Sequence, residues 1–143
     1  MRQILQAKSV NALYSVSSRQ TVLAALELMA EKNIGAVLVV DAGKLTGIFS
    51  ERDYARKVIL KGRHSNDTLI EDVMTRQVIT IEPQQRLEEC MVIMSEKHIR
   101  HLPVMEEGEL QGIISINDVV AAIIRDQKIR IESLESYISG SPY

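Results

Sequence analysis

Apolar residues recur along this chain with two alternating periods, and the alternation is written twice. Val22, Ala25, Leu26 and Met29 follow the i, i+3, i+4, i+7 spacing of one helix face. "LYSV" before that stretch and "GAVLVV" after it read as short strands bounded by polar residues. "DAGK" then turns the chain at a glycine, and "LTGIF" returns as a hairpin partner that runs into a helix after Ser50. The same order comes back later: "VITI", then Leu87, Cys90, Met91 and Met94 on one helix face, then "RHLPVM", "EEGE", "LQGII" and a helix after Ser115.

A shift of 65 positions, from Asp53 to Asp118, superimposes the two stretches without a gap. Gln20, Met29, Ile34, Val39, Gly43, Gly47, Ser50 and Asp53 then meet identical residues in the second stretch, Gln85 through Asp118. Matches at turn glycines and strand ends together mark an internal duplication. In each copy the first and second strands are joined through a helix, so they are expected to run parallel with a right-handed crossover. The expected fold class is α+β, with two βαββα repeats of three strands each, packed sheet to sheet about a pseudo-twofold axis. "LKGRHSNDT" is the polar connector. The expected organisation is residues 1–62 for the first repeat with an N-terminal segment, 63–126 for linker and second repeat, and 127–143 for a helical tail. That tail carries Ile124, Ile131, Leu134 and Ile138 at helical spacing and is expected to stop near Gly140. It runs past the repeat, so it packs either on a partner or back across the pair.

Composition narrows the function more than the fold. At 143 residues, with 45% apolar side chains, the chain can bury a core without a metal or disulfide. Aromatic residues make up only 3%, so packing must rest on Ile, Val, Leu, Met and Ala. A formal net charge of −2, without a long run of one sign, argues against a general nucleic-acid surface. Neither a signal-peptide stretch nor a membrane span is legible, so the expected location is cytoplasmic. The lone Cys90 matches Ala25 on the buried stripe and reads as a small core residue. His64, His98 and His101 are too scattered for a metal site.

The candidate chemistry lies in "GIFSERD" and its twin "GIISIND". Ser-x-x-Asp before an apolar helix is a capping-box pattern, and each phrase alone reads as a cap. Repeated at equivalent ends of two copies, the phrase gains a second meaning. A helix start offers free N–H groups to a phosphate, a Ser hydroxyl adds a donor, and an Asp one turn on can accept from a ribose diol. Gly47 and Gly112 would let a flat ring approach the backbone. Arg52, Arg100 and His101 are placed to meet a phosphate, while Arg56 and Lys57 read as a solvated helix face.

The paired stretches "KNIGAVLVVDAGKLTGIFSERDYARKVI" and "KHIRHLPVMEEGELQGIISINDVVAAII" closely resemble a tandem pair of CBS domains, or Bateman module. The resemblance covers about Ile4 to Gly140 and is to the small stand-alone type. It implies adenine-nucleotide binding (AMP, ADP, ATP, S-adenosylmethionine or NAD) in clefts between the repeats, with Asp53 and Asp118 on the ribose hydroxyls and Ser50 and Ser115 on phosphate or ribose. By the same resemblance one cleft would combine Ser115 and Asp118 with backbone near Val10 and with Ala36 and Val37. The other would combine Ser50 and Asp53 with Thr75 and the strand from His101 to Pro103. Asn117 stands where close relatives commonly carry Gly, which would narrow the second cleft.

The reading that follows is a non-catalytic regulatory module, an energy or redox-state sensor, that binds an adenine nucleotide, forms a homodimer and signals to an unidentified protein partner. Neither nucleic acid nor membrane enters it. There is no G-x-G-x-x-G fingerprint, no P-loop and no nucleophile paired with a base. The competing reading is a dimerising scaffold whose two phrases are caps alone.

Overall fold

The computed structural model describes residues 14–138, apart from the side chain at position 137. They fall into two compact units, one holding the described residues up to Ile79 and the other those from Thr80 onward.

In the first unit, β1 (Ser15–Val16) leads to α1 (Val22–Lys32), β2 (Ala36–Asp41) and β3 (Lys44–Ser50). The strand order is β1-β2-β3, with β1 parallel to β2 and β2 antiparallel to β3. The step from β1 to β2 through α1 is parallel, as expected. Thr21 starts α1 by accepting the Ala24 N–H on its hydroxyl, and Val22, Ala25 and Met29 face inward. They pack with Val16, Val37, Val39 and Phe49 in a core free of Trp.

After β3 the chain makes a helical turn, α2 (Glu51–Asp53), followed by a π-helical turn over Tyr54–Val58 and a 3-10 turn over Ile59–Lys61. Gly62 ends this run in the left-handed region at φ 68. The polar connector and the short helix α3 (Ile70–Val73) belong to this unit. Val22 N–H donates to Thr68 C=O at 2.8 Å, Leu23 N–H to Ser65 C=O at 2.9 Å, and Ile70 N–H to Gln20 C=O at 2.9 Å. The segment that reads as a linker is therefore stitched to the first repeat by its own backbone.

The second unit repeats the plan with α4 (Leu87–Lys97), β4 (His101–Glu106), β5 (Glu109–Ser115) and α5 (Ile116–Ile138). Small conformational details repeat with it. Asn33 and His98 end their helices in the left-handed region at φ 53 and 54. Each hairpin turns on two positive-φ residues, Ala42-Gly43 and Glu107-Gly108, the handedness that suits twisted strands. Each hairpin also slips register at the same point, Val39/Val40 and Val104/Met105.

One expected strand is absent among the described residues. "VITI" contributes only an isolated parallel bridge, Ile81 to Val104, and the second sheet has two strands, β4-β5. The cause is Pro103. In the first unit Leu38 N–H donates to Tyr14 C=O at 3.3 Å. Pro103 occupies the position equivalent to Leu38 and has no N–H to give the matching carbonyl of Ile79.

Candidate functional site

Each repeat builds the same corner where its hairpin's second strand becomes a helix. Ser50, the last residue of β3, is extended (φ −122, ψ 167) and caps α2. Asp53 N–H donates to Ser50 Oγ at 3.2 Å, while Ser50 N–H and Oγ donate to Asp53 Oδ2 at 3.0 and 3.1 Å. In the second repeat, Ser115 N–H donates to Asp118 Oδ2 at 2.8 Å and Asp118 N–H to Ser115 Oγ at 3.2 Å. Both phrases are thus capping boxes with reciprocal bonds.

The first corner has further partners. Thr75 Oγ1 donates to Asp53 Oδ1 at 3.1 Å, and Lys57 Nζ lies 3.1 Å from the same oxygen. Lys57 Nζ also donates to Thr75 Oγ1 at 3.4 Å. The Asp53 side chain is 12% exposed, so this ring of donors sits at the protein surface but shelters the carboxylate. Lys57 corrects the sequence reading: it is half-buried in the corner, whereas Arg56 is the exposed member of the pair. The i, i+4 spacing from Asp53 to Lys57 is the signal that could have found it.

Thr75 is delivered by an antiparallel bridge to Ile48, with N–H···O distances of 3.0 and 2.8 Å. That bridge explains Gly47. A Cβ there would stand 2.7 Å from Met74 Sδ and 2.9 Å from Thr75 C=O. Gly47 makes room for the protein's own backbone, not for a ligand ring, which corrects the expectation placed on it.

Of the other candidates in the first unit, Ala36 pairs with Ser50 across β2 and β3, and Val37 pairs with Phe49. Both side chains are buried, so they can offer a ligand backbone only. Arg52 is exposed on the first helical turn. Glu51 N–H donates to Gly35 C=O at 3.1 Å, which places a recess lined by Leu26, Met29, Ile34 and Gly35 beside the corner.

In the second unit, His101 pairs with Ser115, and Ile116 N–H donates to Arg100 C=O at 2.8 Å. Arg100, His101, Ser115, Asn117 and Asp118 therefore converge on one corner. Arg100 and Asn117 are exposed, His101, Ser115 and Asp118 half-buried, and Pro103 lies in the core. The position matching Lys57 is Ala122, so α5 brings no ammonium one turn after Asp118. Val10 falls outside the described residues. Cys90 is fully buried, and burial pushes its thiol pKa up, as expected for a core residue. Among the described residues no His, Cys, Asp and Glu group is placed to hold a metal ion, and no helix is long and apolar enough to cross a membrane.

Comparison with known proteins gives this geometry a family. The CBS domain family model matches residues 8–60 and 70–125. The chain is 38% identical over 125 residues to the CBS domain-containing protein CBSX3, mitochondrial, of Arabidopsis thaliana, covering 84% of this chain and 61% of that protein. It resembles the structure of a CBS-domain protein from Burkholderia ambifaria at 50% identity and a TM-score of 0.86, covering 89% of this chain and 95% of the other. It also resembles the CBS domain pair of protein MJ0100, solved with 5′-methylthioadenosine and S-adenosyl-L-methionine, at 26% identity and a TM-score of 0.72, with 82% and 92% coverage. The duplicated α+β units and both family matches lead to one conclusion: this chain belongs to the CBS-domain family and carries a tandem pair of the repeats.

Proposed function

We propose that this CBS pair is a non-catalytic regulatory module that binds an adenine nucleotide (AMP, ADP, ATP or NAD) at its Ser-x-x-Asp corners and reports energy or redox state. The observation that carries the reading is the state of the Asp53 carboxylate. Its Oδ2 is committed to the cap, which fixes the orientation of Oδ1. Oδ1 then accepts from a hydroxyl, that of Thr75, and pairs with the Lys57 ammonium at 3.1 Å. A ribose diol offers the same O–H donors, and a carboxylate held by its own backbone meets them with little loss of side-chain entropy. The adenosine ligands of the MJ0100 pair support the same ligand class. The Ser115–Asp118 cap orients its carboxylate in the same way.

Titration calorimetry with AMP, ATP, NAD and S-adenosylmethionine tests this. A saturable signal that Asp53→Asn or Asp118→Asn weakens tenfold or more, with the fold intact, supports the proposal. Absence of binding to all four at millimolar concentration refutes it and leaves the scaffold reading. That second reading draws on the capping boxes, because Ser-x-x-Asp would be fully accounted for by helix initiation.

A further inference from the structure

Both oxygens of the Asp53 carboxylate are engaged by the protein itself. Oδ2 accepts from Ser50 N–H and Oγ at 3.0 and 3.1 Å, and Oδ1 holds the Thr75 hydroxyl and the Lys57 ammonium, each at 3.1 Å. A carboxylate offers roughly four acceptor positions, so these donors fill it. A ribose diol brings further O–H donors, and at least one resident donor must yield to them.

The four residents are not equally free to leave. The Ser50 groups belong to the cap that starts α2. Thr75 is pinned by two backbone bonds to Ile48, at 3.0 and 2.8 Å. Lys57 is held through a flexible stem that is 42% exposed, where water screens its ion pair. The ammonium is therefore the donor that yields. Its turn, Tyr54–Val58, is π-helical, a distortion that concentrates at functional sites, whereas the matching residues of α5 form regular helix. Ala122 stands at the place of Lys57 there, so this device belongs to the first corner alone.

We propose that Lys57 is a specificity-determining residue: ribose hydroxyls displace its ammonium from Asp53 Oδ1, and a phosphate on the same ribose captures it, so the first corner selects phosphorylated adenine nucleosides over neutral ones. The proposal rests on the adenine-nucleotide reading of that corner. A neutral nucleoside breaks the Asp53–Lys57 pair and leaves the ammonium to water. A nucleotide exchanges one anionic partner for another, and a phosphate makes the charge-assisted bond the stronger for it.

Adenosine and AMP share the diol and differ by the phosphate, which makes them the probes. Titration calorimetry is run on Asp118→Asn protein, to weaken the second corner, and on the unsubstituted chain. In the Asp118→Asn background, Lys57→Met should tighten adenosine about threefold, by removing a competitor, and weaken AMP about tenfold. Lys57→Arg should keep the preference for AMP. Lys57→Gln repeats the loss of charge, and an unchanged thermal midpoint shows that either neutral variant folds. If Lys57→Met and Lys57→Gln shift both ligands by one factor, or neither, while the unsubstituted chain binds, the proposal is overturned and the nucleotide reading stands. Binding that Asp118→Asn abolishes outright places the ligand at the second corner and also overturns it. If the unsubstituted chain binds neither probe, the proposal and the reading fall together.

Discussion

Lys57 Nζ lies 3.1 Å from Asp53 Oδ1 and 3.4 Å from Thr75 Oγ1, closing a three-membered polar ring at the first corner. Lys57 is 42% exposed on its side chain, so water and salt screen the pair. Lys57→Met should therefore cost less than ~1 kcal/mol in stability at low salt, and less again in molar salt. Denaturant titrations of Lys57→Met, Thr75→Val and the double variant will show whether the three groups are coupled, because independent groups give additive losses.

Gly47 should not tolerate a methyl group. The contact at 2.9 Å is with backbone, the Thr75 carbonyl, which cannot swing away as a side chain can. Gly47→Ala is expected to destabilise the first unit by about 1–3 kcal/mol, the usual range for overpacking. Amide exchange at Ile48 and Thr75, whose two reciprocal bonds define the bridge, should accelerate selectively.

Asp41 makes the first repeat acid-sensitive. Its carboxylate accepts from Ser18 N–H at 3.0 Å, Thr46 Oγ1 at 2.9 Å and Ser17 Oγ at 3.2 Å. These bonds, that from the Ser18 backbone above all, lower its pKa from 3.8 to about 2. A pKa depressed on folding stabilises the native state above the unfolded value and loses that stabilisation as pH falls through the folded one. Urea midpoints should thus decline between pH 4 and pH 2, and Asp41→Asn should flatten that part of the profile.

The two crossover helices differ at their starts, and stability should follow. Thr21 caps α1 with its hydroxyl, whereas Arg86 holds the same extended conformation ahead of α4 (φ −81, ψ 151) without a side-chain cap. Thr21→Ala should cost ~1 kcal/mol, and Arg86→Thr should recover a similar amount, read from shifts in the thermal midpoint.

Most of the fold was legible because the duplication exposes it. Val22, Ala25 and Met29 mark a buried helix face by spacing alone, and their twins Cys90 and Met94 repeat it. The left-handed ends at Asn33 and His98 follow from the same alignment, since a helix end must turn wherever its copy turns. The first-unit corner was legible in part: Ser50 and Asp53 announce themselves as a cap, and Thr75 does meet them. What escaped was nonlocal. Gly47 looks like an opening until Met74 and Thr75 are seen against it, and Lys57 looks solvated until Thr75 arrives beside it. The shortened second sheet was within reach, because Pro103 carries its own warning, but the sequence alignment alone treated it as another Leu38.

Pro103 also sets how the two repeats come apart at their leading edges. The segment from Val78 to Ile81 is held to β4 through Ile81, whose N–H and C=O reach Pro103 C=O and Met105 N–H at 3.0 and 2.8 Å. Its counterpart in the first repeat has a ladder two residues long. A zipper with one tooth peels before a zipper with two, so a protease offered the native protein should nick the stretch ahead of Ile81 while the strand at Ser15–Val16 remains closed.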